Sequence, residues 1–126
     1  MAESGKYFSR SELSCRCCDT LPEGGIDDRL IAVIDGLREK YGAMTPNCVY
    51  RCDDHNANTP GAATHSYHTL GMAADMPLPT GIDMDEYAEY GKSLGANGTI
   101  RYYSKNFVHF DVRPEYEAYH VTEDDL

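Results

Sequence analysis

The chain has 126 residues, with 11 Lys and Arg residues against 21 Asp and Glu residues, and its formal net charge at pH 7 is −10. This length accommodates one domain, residues 1–126, and excludes a catalytic domain joined to a separate targeting domain. The acidic balance argues against a nucleic-acid partner, because proteins that bind nucleic acids carry a basic surface.

A membrane partner is not expected either. No apolar run approaches the roughly 20 residues that a membrane span needs. The opening MAESGKYFSR is polar and lacks the apolar stretch of a signal peptide, so the sequence as given predicts no secretion or membrane address. Sequence patterns leave the localisation and the oligomeric state open.

Two amphipathic helices are predicted from apolar residues that recur every three or four positions. The first covers residues 26–41, with Asp27 or Asp28 as its N-terminal cap and Gly42 at its end. The second starts at Asp83 and stops at Gly95 or Gly98. The apolar positions of the first helix are Leu30, Ile34, Leu37 and Tyr41.

Short apolar runs predict strands, and the last two are close enough to form an antiparallel hairpin. A segment rich in Asn, Thr, Gly and Pro, residues 52–67, is predicted to be loop, and residues 114–126 an acidic C-terminal tail. These elements predict an α+β fold, with helices flanking a small, mainly antiparallel sheet. The predicted strands are residues 49–51, 72–76, 99–103 and 107–112.

The histidines stand in spacings that indicate a metal centre. His68 precedes Asp75 by seven residues, and His109 lies in the alternating run FVHFDVR, where Asp111 shares its face. Taken singly, His68 can equally be a surface histidine. His109 can equally be a buried structural histidine. Together, His68, Asp75 and His109 offer two imidazole nitrogens and one carboxylate oxygen, and such a three-ligand set is typical of a catalytic zinc site.

Four motifs resemble the zinc D-Ala-D-Ala carboxypeptidase superfamily of peptidoglycan peptidases, which has the hedgehog/DD-peptidase fold, and within it a short cysteine-containing subgroup. The resemblance implies one catalytic zinc ion held by His68, Asp75 and His109, and a peptidoglycan stem peptide as substrate. The motifs are FSRSELSCRCC at residues 8–18, YRCDDHN at 50–56, S-x-H-x-x-G-x-A-x-D at 66–75 and FVHFDVR at 107–113.

The resemblance also implies that Arg51 faces the substrate, where a guanidinium can steady a developing oxyanion or clamp a terminal carboxylate. The alternative is a salt bridge from Arg51 to Asp53 or Asp54. Ser66 and His55 are expected to orient ligands or the loop. Three tyrosines fall beside the expected site and are expected to line its cleft, with Tyr103 as a substrate contact: Tyr67, Tyr102 and Tyr103.

The general base departs from the superfamily pattern. Many members place Glu, Asp or His two or three residues before the last zinc ligand, but Phe107 and Asn106 stand there and neither can accept a proton. Asp111 is the expected replacement, and His65 is a second candidate. Asp111 can equally serve as a partner that fixes an imidazole.

Five cysteines are present, at 15, 17, 18, 48 and 52, and an odd number cannot all pair within one chain. One interpretation is one or two disulfides. A second is a structural zinc ion bound by Cys15, Cys17 and Cys18 together with Cys48 or Cys52. The third is reduced, buried thiols.

The sequence as a whole predicts a zinc metallopeptidase that cleaves peptidoglycan stem peptides, as a D-Ala-D-Ala carboxypeptidase or a related endopeptidase. The alternative is a catalytically inactive, zinc-dependent cell-wall-binding or phage structural module of the same fold, because a fold can persist after its catalytic activity is lost. The absence of an acidic residue just before His109 supports this alternative.

Overall fold

The structure, a computed structural model, describes residues 3–15, 19–52 and 66–126. Its strands and helices confirm the predicted α+β class. The helices are α1 (Arg10–Leu13), α2 (Asp28–Tyr41) and α3 (Met84–Ser93), and the strands are β1 (Ala73–Pro77), β2 (Gly98–Tyr102), β3 (Phe107–Asp111) and β4 (Tyr119–Thr122).

The described strands form a single sheet in the order β1-β3-β2-β4. Strand β3 pairs antiparallel with both β1 and β2, which confirms the predicted hairpin. Strand β4 pairs parallel with β2, so the sheet is mixed rather than purely antiparallel. Asn106 closes the hairpin with a φ of 54°, a left-handed conformation that Asn tolerates better than most residues.

The C-terminal residues correct the prediction of a tail. Residues 119–122 form β4 along the edge of β2, and short 3₁₀ turns flank that strand at Glu115–Glu117 and Glu123–Asp125. A four-residue edge strand between acidic residues has too little apolar alternation for sequence reasoning to recognise.

The predicted strand at residues 49–51 is wrong. Only an isolated bridge between Cys48 and Asp75 joins this segment to the sheet. Beyond the bridge, the Tyr50 amide donates to the Leu13 carbonyl at 3.2 Å, and the Arg51 amide donates to the His68 carbonyl at 3.2 Å. The segment therefore leaves the sheet, because its backbone groups find partners in two other parts of the chain.

Both predicted helix starts are confirmed. The Asp27 carboxylate accepts from the Arg29 amide at 2.9 Å and caps α2, and Gly42 ends that helix with a φ of 91°. The Asp83 carboxylate accepts from the Glu86 amide at 3.1 Å and caps α3. Sequence reasoning missed the short helix α1, although Ser9 and Glu12 form a capping box there.

The core lies between the sheet and helices α2 and α3. The Phe110 ring meets the Tyr87 ring edge-on at a centroid distance of 5.5 Å. Because strand side chains alternate, Asp75, His109 and Asp111 point to the opposite face. Fully buried side chains from the sheet and from α2 fill this core: Ala74, Met76, Val108 and Phe110 with Leu30, Val33, Ile34 and Leu37.

None of the helices in the described part of the chain has the length and apolar character that crossing a bilayer requires.

The packing of β4 generates a prediction about pH. His120 is half-buried, and its Nδ1 lies 2.8 Å from the Thr99 hydroxyl. Burial, helped by the charge of Lys92, lowers the pKa of His120. Because the fold disfavours the protonated ring, the contribution of His120 to the free energy of unfolding should decrease as the pH falls through the ordinary histidine pKa, about 6.5.

Urea titrations of wild type and His120→Gln, at several values between about pH 5 and pH 8, measure this dependence. The stability of wild type minus that of the variant should decrease as the pH falls over this range, because the other histidines contribute equally to both proteins. Parallel curves for the two proteins would contradict the prediction.

Candidate metal centre

Strands β1 and β3 place a carboxylate beside an imidazole. Asp75 and His109 are direct partners in the antiparallel register, and their side chains share one face of the sheet. Asp75 Oδ1 lies 3.1 Å from His109 Nδ1. The register itself therefore brings together two residues that are 34 positions apart in the sequence.

The 3₁₀ turn Tyr67–Leu70 supplies the second imidazole. The Ser66 hydroxyl accepts from the His68 amide at 3.2 Å and caps the turn, and Gly71 ends it in the left-handed conformation. His68 Nε2 lies 3.2 Å from Asp75 Oδ1. Ligand atoms about 2.0–2.1 Å from a tetrahedral ion lie about 3.3–3.4 Å apart, and each of the two contacts of Asp75, taken singly, is close to that separation.

The outer nitrogen of each ring has its own acceptor. His68 Nδ1 donates to the Val49 carbonyl, at 2.6 Å, and His109 Nε2 donates to Asp111 Oδ2, at 2.8 Å. These contacts fix the ring orientations and leave His68 Nε2 and His109 Nδ1 facing Asp75. A metal-binding histidine ordinarily has such a partner on its other nitrogen.

Asp111 is held by Arg113 as well as by His109. Arg113 Nε donates to Asp111 Oδ1 at 2.8 Å, and Arg113 Nη2 donates to Oδ2 at 2.7 Å, a two-point ion pair. The Asp111 side chain is 0% exposed. Both of its oxygens are therefore engaged, and Arg113 fixes the carboxylate that fixes His109.

The titration behaviour follows from these contacts. Burial opposes protonation of His68 and His109. The Asp75 carboxylate nevertheless raises the pKa of His68 to about 9, and the carboxylates of Asp111 and Asp75 raise the pKa of His109 to about 9. The histidines in turn hold the pKa of Asp75 below its usual range despite burial, and Arg113 and His109 do the same for the pKa of Asp111. The metal-free centre thus holds paired charges, and a cation must displace protons to bind.

Cys48 also reaches this centre. One ligand atom from each of Cys48, His68 and Asp75 lies within 4.8 Å of the other two, so this group could hold a metal ion. Cys48 Sγ lies 3.9 Å from His68 Nδ1. Sequence reasoning grouped Cys48 with the other cysteines, because only the bridge to Asp75 brings it here.

Arg51 lies next to the 3₁₀ turn. Its Nη2 donates to the Ser66 hydroxyl at 3.1 Å, while its Nε is buried without a hydrogen-bond partner in the described residues. Ser66 therefore contacts both the His68 amide and Arg51. The remaining residues of these predictions, His55, His65, Asp53 and Asp54, lie outside the described residues.

The structure does not bring Tyr103 to the centre, and this corrects its expected role. The Tyr103 hydroxyl donates to Asp85 near the start of α3. Tyr102 instead shares the sheet face of His109, and its ring stacks on Phe107 at a centroid distance of 4.5 Å. A shift of one residue along a strand reverses the face, which is why neighbouring tyrosines differ so completely.

These features define a small α+β domain whose sheet presents a cluster of histidines and carboxylates, a candidate metal centre, on the face opposite its helices. The chain belongs to the Peptidase M15 family, whose model matches residues 6–111. This membership confirms the resemblance seen in the motifs and implies a hydrolase of the metallopeptidase class, a class that in this family depends on zinc. A comparison with curated proteins finds no match.

The close approach of Gly98 to Asp111 generates a prediction. A Cβ at Gly98 would lie 2.3 Å from the Asp111 carboxylate oxygens, so Gly98→Ala should displace the carboxylate that orients His109. We expect about a 10- to 100-fold loss of zinc affinity, the range typical of lost ligand-orienting partners, measured by competition with a chelator.

An Asp111→Ala background provides the control, because it removes the atoms with which the new Cβ collides. Gly98→Ala should then cost little further affinity. Equal losses in the two backgrounds would contradict the role of this contact.

Proposed function

We propose that the protein is a zinc metallopeptidase that hydrolyses peptide bonds of peptidoglycan stem peptides, as a D-Ala-D-Ala carboxypeptidase or a related endopeptidase. The observation that carries the proposal is that two imidazole nitrogens approach one carboxylate oxygen. The other nitrogen of each ring forms a hydrogen bond that fixes the orientation of the ring. Membership of the Peptidase M15 family supports both the metal and the substrate class.

We assign the zinc ligands to His68, Asp75 and His109. His109 is preferred over Cys48 because Cys48 Sγ lies on the Nδ1 side of His68, and that nitrogen already donates to the Val49 carbonyl. His109 Nδ1 approaches the same carboxylate oxygen as His68 Nε2. Three protein ligands leave one coordination position for substrate or water.

Zinc held by these ligands supplies Lewis-acid activation of a water molecule and of the scissile carbonyl. Among the described residues, Arg51 is a cationic group next to the turn that carries His68, and it can complement negative charge there. Its Nη2 donates to the Ser66 hydroxyl, and its buried Nε has no acceptor among the described residues. A guanidinium so placed binds either the developing oxyanion or the terminal carboxylate of the peptide.

We assign Asp111 to positioning His109 rather than to proton transfer. Arg113 and His109 occupy its oxygens, and they keep its pKa too low for an effective proton acceptor near neutral pH. His65 stays the candidate base that the sequence suggests.

The engagement of Asp111 also favours a second candidate function. If no other group accepts the proton, the domain binds zinc and a wall peptide without cleaving it. This second candidate is a zinc-dependent cell-wall-binding or phage structural module of the same fold.

The ligand assignment predicts different effects for two variants. His109→Ala should lose the zinc ion of this centre, with a fall in affinity larger than the about 10- to 100-fold that loss of an orienting partner costs. Cys48→Ala should retain the ion. Metal content, measured by mass spectrometry after dialysis, distinguishes them, and zinc lost from Cys48→Ala but kept in His109→Ala would overturn the assignment.

The substrate role of Arg51 predicts that Arg51→Ala keeps its zinc but loses about 10²- to 10³-fold in kcat/KM on a stem peptide. The kcat/KM of Arg51→Lys should lie between those of wild type and Arg51→Ala, because lysine keeps the positive charge but cannot form two parallel hydrogen bonds. Arg29→Ala, which removes an exposed arginine paired with Asp27 on α2, is the matched control and should keep full activity.

Amine release from purified peptidoglycan and from a synthetic stem pentapeptide measures this activity. Stoichiometric zinc in the wild type, without hydrolysis of either substrate, would overturn the peptidase and support the binding module. His65→Gln then tests the base, since loss of turnover with retained zinc would locate proton transfer there.

A further inference from the structure

A second group of sulfur atoms lies where the N-terminal segment meets the chain that carries Arg51. Cys15 follows helix α1 and is 0% exposed, and Cys52 directly follows Arg51. Their Sγ atoms are 3.6 Å apart although the residues are separated by 37 positions. The Cys52 amide also donates to Cys15 Sγ, at 3.3 Å.

This separation fits shared metal coordination. A disulfide joins its sulfurs at about 2.05 Å, whereas two thiolates at about 2.3 Å from one tetrahedral zinc ion lie about 3.8 Å apart. An amide donor aimed at a sulfur stabilises the thiolate form that binds a metal. The group of Cys48, His68 and Asp75 includes neither sulfur.

We propose that Cys15 and Cys52 bind a structural zinc ion, separate from the ion of the histidine centre. On binding, each thiol loses one proton to solvent and no oxidant is required. We infer the site from Cys15 and Cys52 alone.

A zinc ion at this place would fasten the two segments that set up the histidine centre. Next to Cys15, the Leu13 carbonyl accepts from the Tyr50 amide. Next to Tyr50, the Val49 carbonyl orients His68, and Arg51 reaches Ser66. A structural ion therefore fixes the chain that holds both an orienting carbonyl and the substrate-binding arginine.

Metal analysis of the full chain, purified without chelator and dialysed against metal-free buffer, tests the proposal. Wild type should hold two zinc ions per chain, and Cys15→Ser and Cys52→Ser should each hold one. His109→Ala should also hold one, and Cys15→Ser combined with His109→Ala should hold none.

These variants separate the two proposals. If the histidine centre binds no metal, His109→Ala will match wild type while the Cys15 and Cys52 variants still lose their ion. A wild type with one zinc ion that survives in both serine variants would overturn the structural site. So would an intact mass lower by two hydrogens with a peptide map that joins Cys15 to Cys52, because that result identifies a disulfide between them.

Cobalt substitution of wild type gives a test that does not depend on the folding of variants. Zinc sites with thiolate ligands, refilled with Co²⁺, show sulfur-to-cobalt charge-transfer absorption in the near ultraviolet. Two cobalt equivalents, with this absorption preserved in His109→Ala, are the expected result. Its absence from a fully loaded wild type would overturn the proposal.

Discussion

The antiparallel pairing of β1 with β3 is the constraint on which the metal centre depends. It places Asp75 directly opposite His109 and puts their side chains on one face. The same register sends four apolar side chains into the core on the other face, so burial of apolar surface holds the ligands in place. A slip of one residue would turn Asp75 and His109 into the apolar core and would move Ala74, Met76, Val108 and Phe110 to the opposite face.

The centre also contains several buried charged groups, and each is stabilised by contact with a neighbour of opposite charge. Asp75 lies between two imidazoles, and Asp111 lies between His109 and Arg113. Buried charges without partners cost several kcal/mol each, so loss of one member leaves its neighbours uncompensated. The Arg113 guanidinium is in turn covered by the rings of Tyr67 and Tyr119, at 4.7 and 5.2 Å. Because Tyr119 belongs to β4, this strand supports the centre by holding Arg113, although β4 itself contributes no residue to the cluster.

The N-terminal segment and the chain before the 3₁₀ turn form the other half of the support. Residues 47–52 bond to β1 at Asp75, through the Asn47 amide and the Cys48 carbonyl, and then bond to Leu13 and to His68. Irregular backbone of this kind has low intrinsic stability, so tertiary contacts must define it. It nevertheless carries the carbonyl that orients His68 and the arginine assigned to substrate, which explains why sulfur chemistry at Cys15 and Cys52 bears on function.

The sequence by itself determined the elements whose signals are local. Helix periodicity with Asp caps located α2 and α3, alternation located the β2–β3 hairpin, and motif spacing selected His68, Asp75 and His109. Tertiary structure alone decided what depends on distant partners: the single bridge of Cys48, the ion pair that engages Asp111, the facing of Tyr102 rather than Tyr103, and the addition of β4. Contacts between residues far apart in the chain produce no periodic pattern in the sequence. They form only when packing of the core has fixed the register of the strands.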